Sequence, residues 1–308
     1  MASILVTGGT GFIGSHLVDL LIKQGHHVSV LTSSSSVHPN IQAIQSKINL
    51  IHGNFGNKEL LIQSLKSVDY IFHAAWTTVP KTSSENPSYD AQSNIIGSIQ
   101  LLEAAVIAGI KRVVFVSTGG AIYGIPRYNP IDEKHPVQPI SAYGISKMAF
   151  ERYLHFFLKN KGLDYSIIRI ANAYGRRQNL RNQQGVIGIW LQKILHKTPL
   201  EIWGDGTVVR DYIHVKDVAR AIISVLNYTG NRRVFNIGSG QGYSLNEILA
   251  LCQKVSACQA EVHYKLSRSF DVPKNVLNIE KAQKELAWKP LIDLEEGIRD
   301  TWDWIGTL

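Results

Sequence analysis

The stretch Ile4-Leu5-Val6-Thr7-Gly8-Gly9-Thr10-Gly11-Phe12-Ile13-Gly14 decides the fold. A short apolar run of strand type enters a glycine-rich turn, and a segment with apolar residues at helical spacing leaves it. Gly8 permits a tight turn, Gly11 lets the backbone approach a pyrophosphate, and Gly14 lets helix and strand pack closely, with the anion at the helix N-terminus. The spacing is Gly-x-x-Gly-x-x-Gly and not Gly-x-Gly-x-x-Gly. Its place between a strand and a helix predicts a dinucleotide cradle that includes Phe12 and Ile13.

Further along, apolar runs of strand length at Val28 to Leu31, Ile48 to Ile51, Tyr70 to Phe72 and Val113 to Val116 alternate with segments of helical period. That rhythm predicts an α/β chain: a Rossmann-type doubly wound parallel sheet with helices on both faces. Pro139 to Lys161 carries a long helical pattern, and Tyr165 to Ile170 supplies another buried strand. The dinucleotide-binding domain is therefore expected over residues 1–172. Residues 173–308 are expected to form mainly a smaller mixed α/β substrate lobe, with some segments returning to the core. In this lobe the pattern predicts helices near Val186 to His196, Val215 to Asn227, Ser244 to Val255 and Leu294 to Trp304, and short strands at Leu200 to Trp203 and Val234 to Ile237. Ser33 to Ser36 is the one low-complexity stretch, expected as a loop.

A chain of 308 residues buries a substantial core without a staple. Its 32 Lys and Arg against 24 Asp and Glu give a net charge of +8, but the basic residues are dispersed among no aromatic-basic module, so no nucleic-acid partner is expected. Cys252 and Cys258 lack metal-knuckle or redox-pair spacing, which predicts no metal site and a reducing compartment. The start MASILVTGGTG lacks the basic and apolar regions of a signal peptide, and no stretch approaches a membrane span. A cytoplasmic protein without membrane insertion is the expectation.

The second strand ought to end in a carboxylate if the ribose 2′-hydroxyl is held in the usual way, yet it runs Val28-Ser29-Val30-Leu31-Thr32-Ser33. Thr32 removes the repulsion that rejects a 2′-phosphate, but no Arg follows to hold one, so chemistry alone leaves NAD and NADP both open. After the third strand, Asn54 and Phe55 stand where they would flank an adenine; a plain turn explains them equally well. Tyr143 and Lys147, four apart, share one helix face. A free tyrosine is about one part in a thousand phenolate at neutral pH, so its use as a base needs about 4 kcal/mol of stabilisation, part of which a cation one turn away supplies.

With that pair in place the chain resembles the extended short-chain dehydrogenase/reductase family, and within it the UDP-glucose 4-epimerase-like enzymes. The resemblance runs nearly end to end: GGTGFIG at Gly8, HAAW at His73, Asn94, VSTGGAIYG at Val116, YGISK at Tyr143, RIANAYGRRQ at Arg169, WGDGTVVRDYIHVKDVA at Trp203 and FNIGSG at Phe235. It implies a bound NAD, with Tyr143 as acid/base, Lys147 holding the nicotinamide ribose and lowering the tyrosine pKa, and Ala74, Ala75, Asn94 and Ser117 lining the cofactor. It also implies a hydroxyl after the fifth strand; the usual Ser or Thr position falls on Gly119, and Thr118 is the substitute donor. For the substrate it implies Asn172, Arg210 and Arg268 on a nucleotide diphosphate, with Gln184, Val186 and Trp203 beside base and sugar. Asn275 falls near the gate beside carbon 2, where its modest size would admit an N-acetyl group. A structural ion pair between Arg210 and Asp211 is the competing explanation for that arginine.

These residues imply a nucleotide-sugar 4-epimerase acting on UDP-glucose, and on UDP-N-acetylglucosamine if the gate is open. Related 4,6-dehydratases carry Asp-Glu after the fifth-strand Thr, where this chain has Gly119-Gly120, so dehydration is not expected. An NAD(P)H-dependent 4-ketoreductase of a 4-keto-6-deoxy sugar nucleotide is the runner-up, because it needs the same Tyr, Lys and hydroxyl. A homodimer is implied through the helices Ile95 to Ala108 and Ala142 to Leu158.

Overall fold

The computed structural model describes residues 1–34, 37–180, 185–267 and 272–308. β1 (Ser3–Thr7) lies inside a seven-stranded sheet; β2 (His27–Thr32) and β3 (Asn49–His52) extend it on one side. β4 (Tyr70–His73), β5 (Arg112–Thr118) and β6 (Asp164–Ile170) extend it on the other, and every neighbouring pair is parallel. The order reverses direction between β1 and β4, which opens a crevice beyond the carboxyl ends of these strands. Parallel strands covered on both faces are apolar throughout rather than alternating: Ile4, Leu5 and Val6 are all fully buried, as are Val113, Val114 and Phe115.

The seventh strand is Val234–Ile237, which pairs with β6 with Val234 opposite Ile167. The substrate-side strand expected at these residues is thus an edge strand of the central sheet. Four apolar-rich residues show that a strand exists but not which sheet it joins; Phe235 and Ile237, both fully buried, complete the core beside β6.

On one face of the sheet, α1 (Phe12–Lys23) packs against the helix Val215–Ser224, whose amphipathic pattern places Val218, Ala221 and Ile222 inside. On the other face lie the helices Gly97–Ala108 and Ala142–Lys161, whose Leu101, Leu102, Phe150 and Leu154 pack on Phe115 and Ile167. Each such side chain contributes about 1.5–3 kcal/mol by leaving water. The long helix begins at Ala142, three residues later than the pattern from Pro139 suggests, because the Ser141 hydroxyl accepts the Gly144 N–H at 3.2 Å and fixes the start. It ends where Gly162 takes a left-handed conformation. The helix expected from Ile95 is preceded by helical turns from Pro87 and by a π turn over Ala91–Ile96 that carries Asn94.

Beyond β6 the sheets are small. Leu200–Trp203 pairs with Val262–Lys265, Asn172–Tyr174 with Tyr212–His214, and Val209–Arg210 with both Tyr243–Ser244 and Lys274–Asn275. Helices Val186–Leu195, Leu245–Ser256 and Leu294–Ile305 enclose a third core around Trp190, Leu191, Ile248 and Ile298. Among the described residues no helix is long and apolar enough to cross a membrane.

Candidate active site

The glycine turn after β1 is shaped by what its residues cannot carry. A Cβ on Gly8, whose φ is +72°, would stand 2.6 Å from the Ala75 nitrogen, and one on Gly14 would overlap the Gly8 carbonyl. A Cβ on Gly11 would meet only the Gly8 oxygen, at 3.2 Å, leaving its outer side open. Gly11 is also the N-cap of α1 and offers no side-chain acceptor, so the first N–H groups of that helix are available to an anion. Turn, helix start and Ala74-Ala75 thus make a cradle that fits a dinucleotide pyrophosphate. The Ala74 N–H donates to Thr7 O at 3.1 Å, which fixes the second wall against the first.

Around this cradle the expected residues differ in what they present. Thr32 is buried at the end of β2 and its hydroxyl accepts the Ser34 N–H at 3.3 Å. Asn54 forms a turn, its side-chain oxygen accepting the Gly56 N–H at 2.9 Å, which leaves the amide nitrogen outward. The Phe55 ring turns inward, edge-on to His73 at 5.6 Å and against Gly97. The Ser117 hydroxyl likewise points into the protein, donating to Glu151 at 2.6 Å, so only its backbone faces the crevice side. Asn94 is buried, donating to Asp90 and Thr78 and accepting from Thr77; it shapes the loop after β4 through those contacts.

Tyr143 and Lys147 sit in the first turns of the long helix. The Lys147 ammonium donates to Val116 O at 2.8 Å and lies 4.0 Å from the centre of the Trp76 ring, 4.7 Å from Phe115 and 5.7 Å from Tyr143. Burial pulls this ammonium down to about 7, while Glu151 and Asp90 favour its charged form. Burial pushes the Tyr143 hydroxyl well above its ordinary range, and the Asp90 carboxylate pushes the same way. No described residue hydrogen-bonds the Tyr143 hydroxyl, while its backbone N–H is anchored to the Ser83 hydroxyl at 3.0 Å. Asp90, fully buried, accepts from Ser146 between the two, as well as from Thr78 and Asn94.

Below the pair, a buried chain of polar groups ties helix to sheet. Glu151 accepts twice from Arg169, which donates to the Tyr123 hydroxyl at 2.9 Å, and Tyr123 donates to Asn236 at 2.7 Å. Every member has a partner, so the network holds the helix register against β5 and β6.

Thr118 ends β5, 8 % exposed, with its oxygen accepting the Ala121 N–H at 3.2 Å and its own proton available. A side chain on Gly119 would point the other way, its Cβ 2.5 Å from Leu277 Cδ1. A Cβ on Gly120 would stand 3.9 Å from both Thr118 Oγ1 and Asn172 Oδ1, so this glycine keeps the space between those two groups clear.

Asn172, Val186, Trp203 and Arg210 all line one cavity of about 300 Å³, together with Tyr174, Trp190 and Tyr212. Trp203 also borders a neighbouring cavity of about 720 Å³ with Asp205, Thr207 and Tyr264. Arg210 does not pair with Asp211; it donates to Val272 O at 2.6 Å, whereas Asp211 is buried and accepts from Ser239, Gly240 and Leu277. Asn275 is 1 % exposed and donates to Gly119 O at 3.3 Å, so it braces the Thr118 turn from behind and does not stand in open space. Gln184 and Arg268 lie outside the described residues.

Trp76 and Asp90 are neighbours of the Tyr-Lys pair that the sequence motifs do not single out. Signals existed: Trp76 follows Ala74-Ala75 directly, and Asp90 precedes Asn94 by one helical turn.

The family model described as "NAD dependent epimerase/dehydratase family" matches residues 4–238. A UDP-glucose 4-epimerase of Thermotoga maritima, solved with UDP-glucose, is 39% identical with a TM-score of 0.94 and 99% of each chain covered. The Thermus thermophilus UDP-glucose 4-epimerase solved with NAD is 33% identical, TM-score 0.90, again with 99% of each chain covered. A UDP-N-acetylglucosamine 4-epimerase of Methanobrevibacter ruminantium, in complex with UDP-N-acetylmuramic acid, is 31% identical, TM-score 0.93, covering 99% of this chain and 98% of that one.

Proposed function

The chain belongs to the NAD dependent epimerase/dehydratase family, and on that premise we propose that it is an NAD-dependent 4-epimerase interconverting UDP-glucose and UDP-galactose. The observation that carries this reading is the closeness of the Thr118 hydroxyl to Asn172, each 3.9 Å from where a Cβ on Gly120 would stand, since Asn172 lines the cavity of Val186, Trp203 and Arg210. A sugar diphosphate held in that cavity brings its hexose to Thr118 and Tyr143.

A bound NAD would supply the hydride acceptor and donor for carbon 4. The chain's own residues move the proton and hold the geometry. Tyr143 takes the proton of the 4-hydroxyl as its phenolate; burial opposes that form, so the Lys147 ammonium has to stabilise the phenolate before the sugar proton arrives. Thr118 donates to the same sugar oxygen and holds it as a ketone forms there. Arg210 offers a planar fork to the diphosphate, with Asn172 beside it, and Arg268 is assigned the same role from sequence alone. A firmly held diphosphate and a loosely held hexose let the ketone present its other face; Tyr143 then gives the proton back. Gly119 and Gly120 put no carboxylate near carbons 5 and 6, which favours epimerisation over dehydration.

Acceptance of an N-acetylhexosamine rests on the sequence resemblance alone, because the buried Asn275 braces the Thr118 turn and lends it no support. A homodimer is supported by Ile96, Ile107, Ile145, Tyr153 and Phe156, exposed apolar residues on or at the ends of the two helices that the sequence assigned to it. The test is to denature purified protein, identify the released dinucleotide, and incubate intact protein with UDP-glucose and with UDP-N-acetylglucosamine without added cofactor. NAD and galacto-configured products support the proposal. Bound NADPH with both sugars unchanged would replace it with the ketoreductase reading.

A further inference from the structure

We propose that Trp76 is a positioning residue for the reaction: its indole face holds the Lys147 side chain as an ammonium beside Tyr143 and so sets the alkaline limit of the activity. The proposal rests on the reading of Tyr143 as the base. The Lys147 Nζ lies 4.0 Å from the centre of the Trp76 ring, against 4.7 Å for Phe115 and 5.7 Å for Tyr143. All three are inside the roughly 6 Å reach of a cation–π contact, and an indole offers the strongest face of the three.

The ammonium has little else to keep it charged. It donates to Val116 O and is 3 % exposed. Glu151, one turn on along the same helix, is paired with Arg169 at 2.6 Å, and Asp90 accepts from Ser146, Thr78 and Asn94; among the described residues neither forms an ion pair with Lys147. His73, at the end of β4, is hydrogen-bonded to Thr7 and Ser98, and burial, with the Lys147 charge, pulls its imidazole down to about 3, so it is neutral. Burial acts on Lys147 in the same sense, against the charges of Glu151 and Asp90.

Packing alone does not require an indole here. Trp76 Nε1 is buried and has no hydrogen-bond partner among the described residues. That unpaired donor costs stability which a phenyl ring in its place would not. What the indole adds is a larger, more electron-rich face. The chain fixes that face from both ends: the Ala75 N–H donates to the Thr7 hydroxyl at 3.4 Å and the Thr77 N–H to Asn94 Oδ1 at 2.8 Å, with Phe115 and Phe150 beside the ring. An ammonium on the indole is favoured whether Tyr143 is phenol or phenolate. Loss of the indole therefore lowers the pH at which the ammonium gives up its proton, and with it the alkaline limb of the pH profile, and does not raise the acid limb.

The test pairs the pH profile of kcat for UDP-glucose epimerisation with a carbon-13 NMR titration of the full chain labelled at lysine Cε, the Lys147 signal being the one absent from Lys147→Met. Trp76→Leu should lower both the alkaline limb and the Lys147 titration by about 0.5–1.5 pH units, and Trp76→Phe, which keeps a weaker face, by less. 5-Fluorotryptophan at every tryptophan draws electron density from the ring face without opening space. It should lower both by about 0.2 pH units and leave Trp76→Phe protein unmoved, and it decides the question if Trp76→Leu does not fold. A packing role lowers the rate at every pH and moves neither titration. A Lys147 titration unmoved by 5-fluorotryptophan, or raised in Trp76→Leu, would overturn the proposal. If protein that holds NAD turns over no sugar, the epimerase reading falls, and the lysine titration still decides whether Trp76 holds the ammonium.

Discussion

Thr118→Val separates the two candidate hydroxyl positions after β5. The substitution keeps the side-chain shape, removes the donor, and leaves the Ala121 N–H without its 3.2 Å acceptor. An unpaired amide at a partly buried turn costs about 1–3 kcal/mol of stability. Removing one donor aimed at a developing oxyanion costs about 10²–10³ in kcat. Adding Gly119→Ser does not recover that rate. Its Cβ stands 2.5 Å from Leu277 Cδ1 and 3.0 Å from Cδ2, and Leu277 is fully buried, so the new side chain overpacks the core at about 1–3 kcal/mol and faces away from Thr118. The assay is steady-state epimerisation of UDP-glucose, with bound dinucleotide and thermal midpoint measured on the same preparations. The expected pattern is a kcat about a hundredfold or more down with KM within a few-fold, in the single and the double variant alike. A Thr118→Val protein with kcat within threefold of the parent, or a double variant that regains the rate, would refute the assignment of the hydroxyl to Thr118.

Three other outcomes follow from the same geometry. Lys147 titrates near 7 when folded and near 10.4 when unfolded, so between those values the folded state binds fewer protons and stability rises with pH, by up to about 1.4 kcal/mol per unit. Urea unfolding of dinucleotide-free protein at pH 7, 8 and 9 should show that rise, and Lys147→Met should lack it. Asp90→Asn misplaces one of three hydrogen bonds and should cost about 1–3 kcal/mol. The same variant removes a charge that raises the Tyr143 pKa, so the acid limb of its kcat profile should move to lower pH. Gly14→Ala forces a Cβ onto the Gly8 carbonyl and should abolish dinucleotide retention, measured as released NAD per chain.

The glycine turn and the sheet rhythm were legible because strand, turn and helix impose local spacing that side-chain types record directly. Tyr143 and Lys147 were legible for the same reason, being one helical turn apart. The sheet membership of Val234–Ile237 was not, since four residues carry no information about which edge they join. Two-residue strands such as Val209–Arg210 and Lys274–Asn275 are set wholly by tertiary pairing and leave no period to read. Side-chain direction was the main casualty among site residues. Ser117 and Phe55 stand at the expected positions in the chain, but β5 and the turn after β3 aim them into the core, toward Glu151 and His73. Arg210 next to Asp211 suggested an ion pair in one dimension; in three, the strand alternation sends the two side chains to opposite sides.

The central claim is that one hydride leaves carbon 4 and returns to the same carbon without meeting solvent. UDP-glucose deuterated at carbon 4, incubated with the purified protein and no added cofactor, tests it by proton NMR and mass spectrometry of the product. The expected product is UDP-galactose that keeps its deuterium at carbon 4. Washout of the label, or no conversion by protein that carries a full complement of NAD, would contradict it.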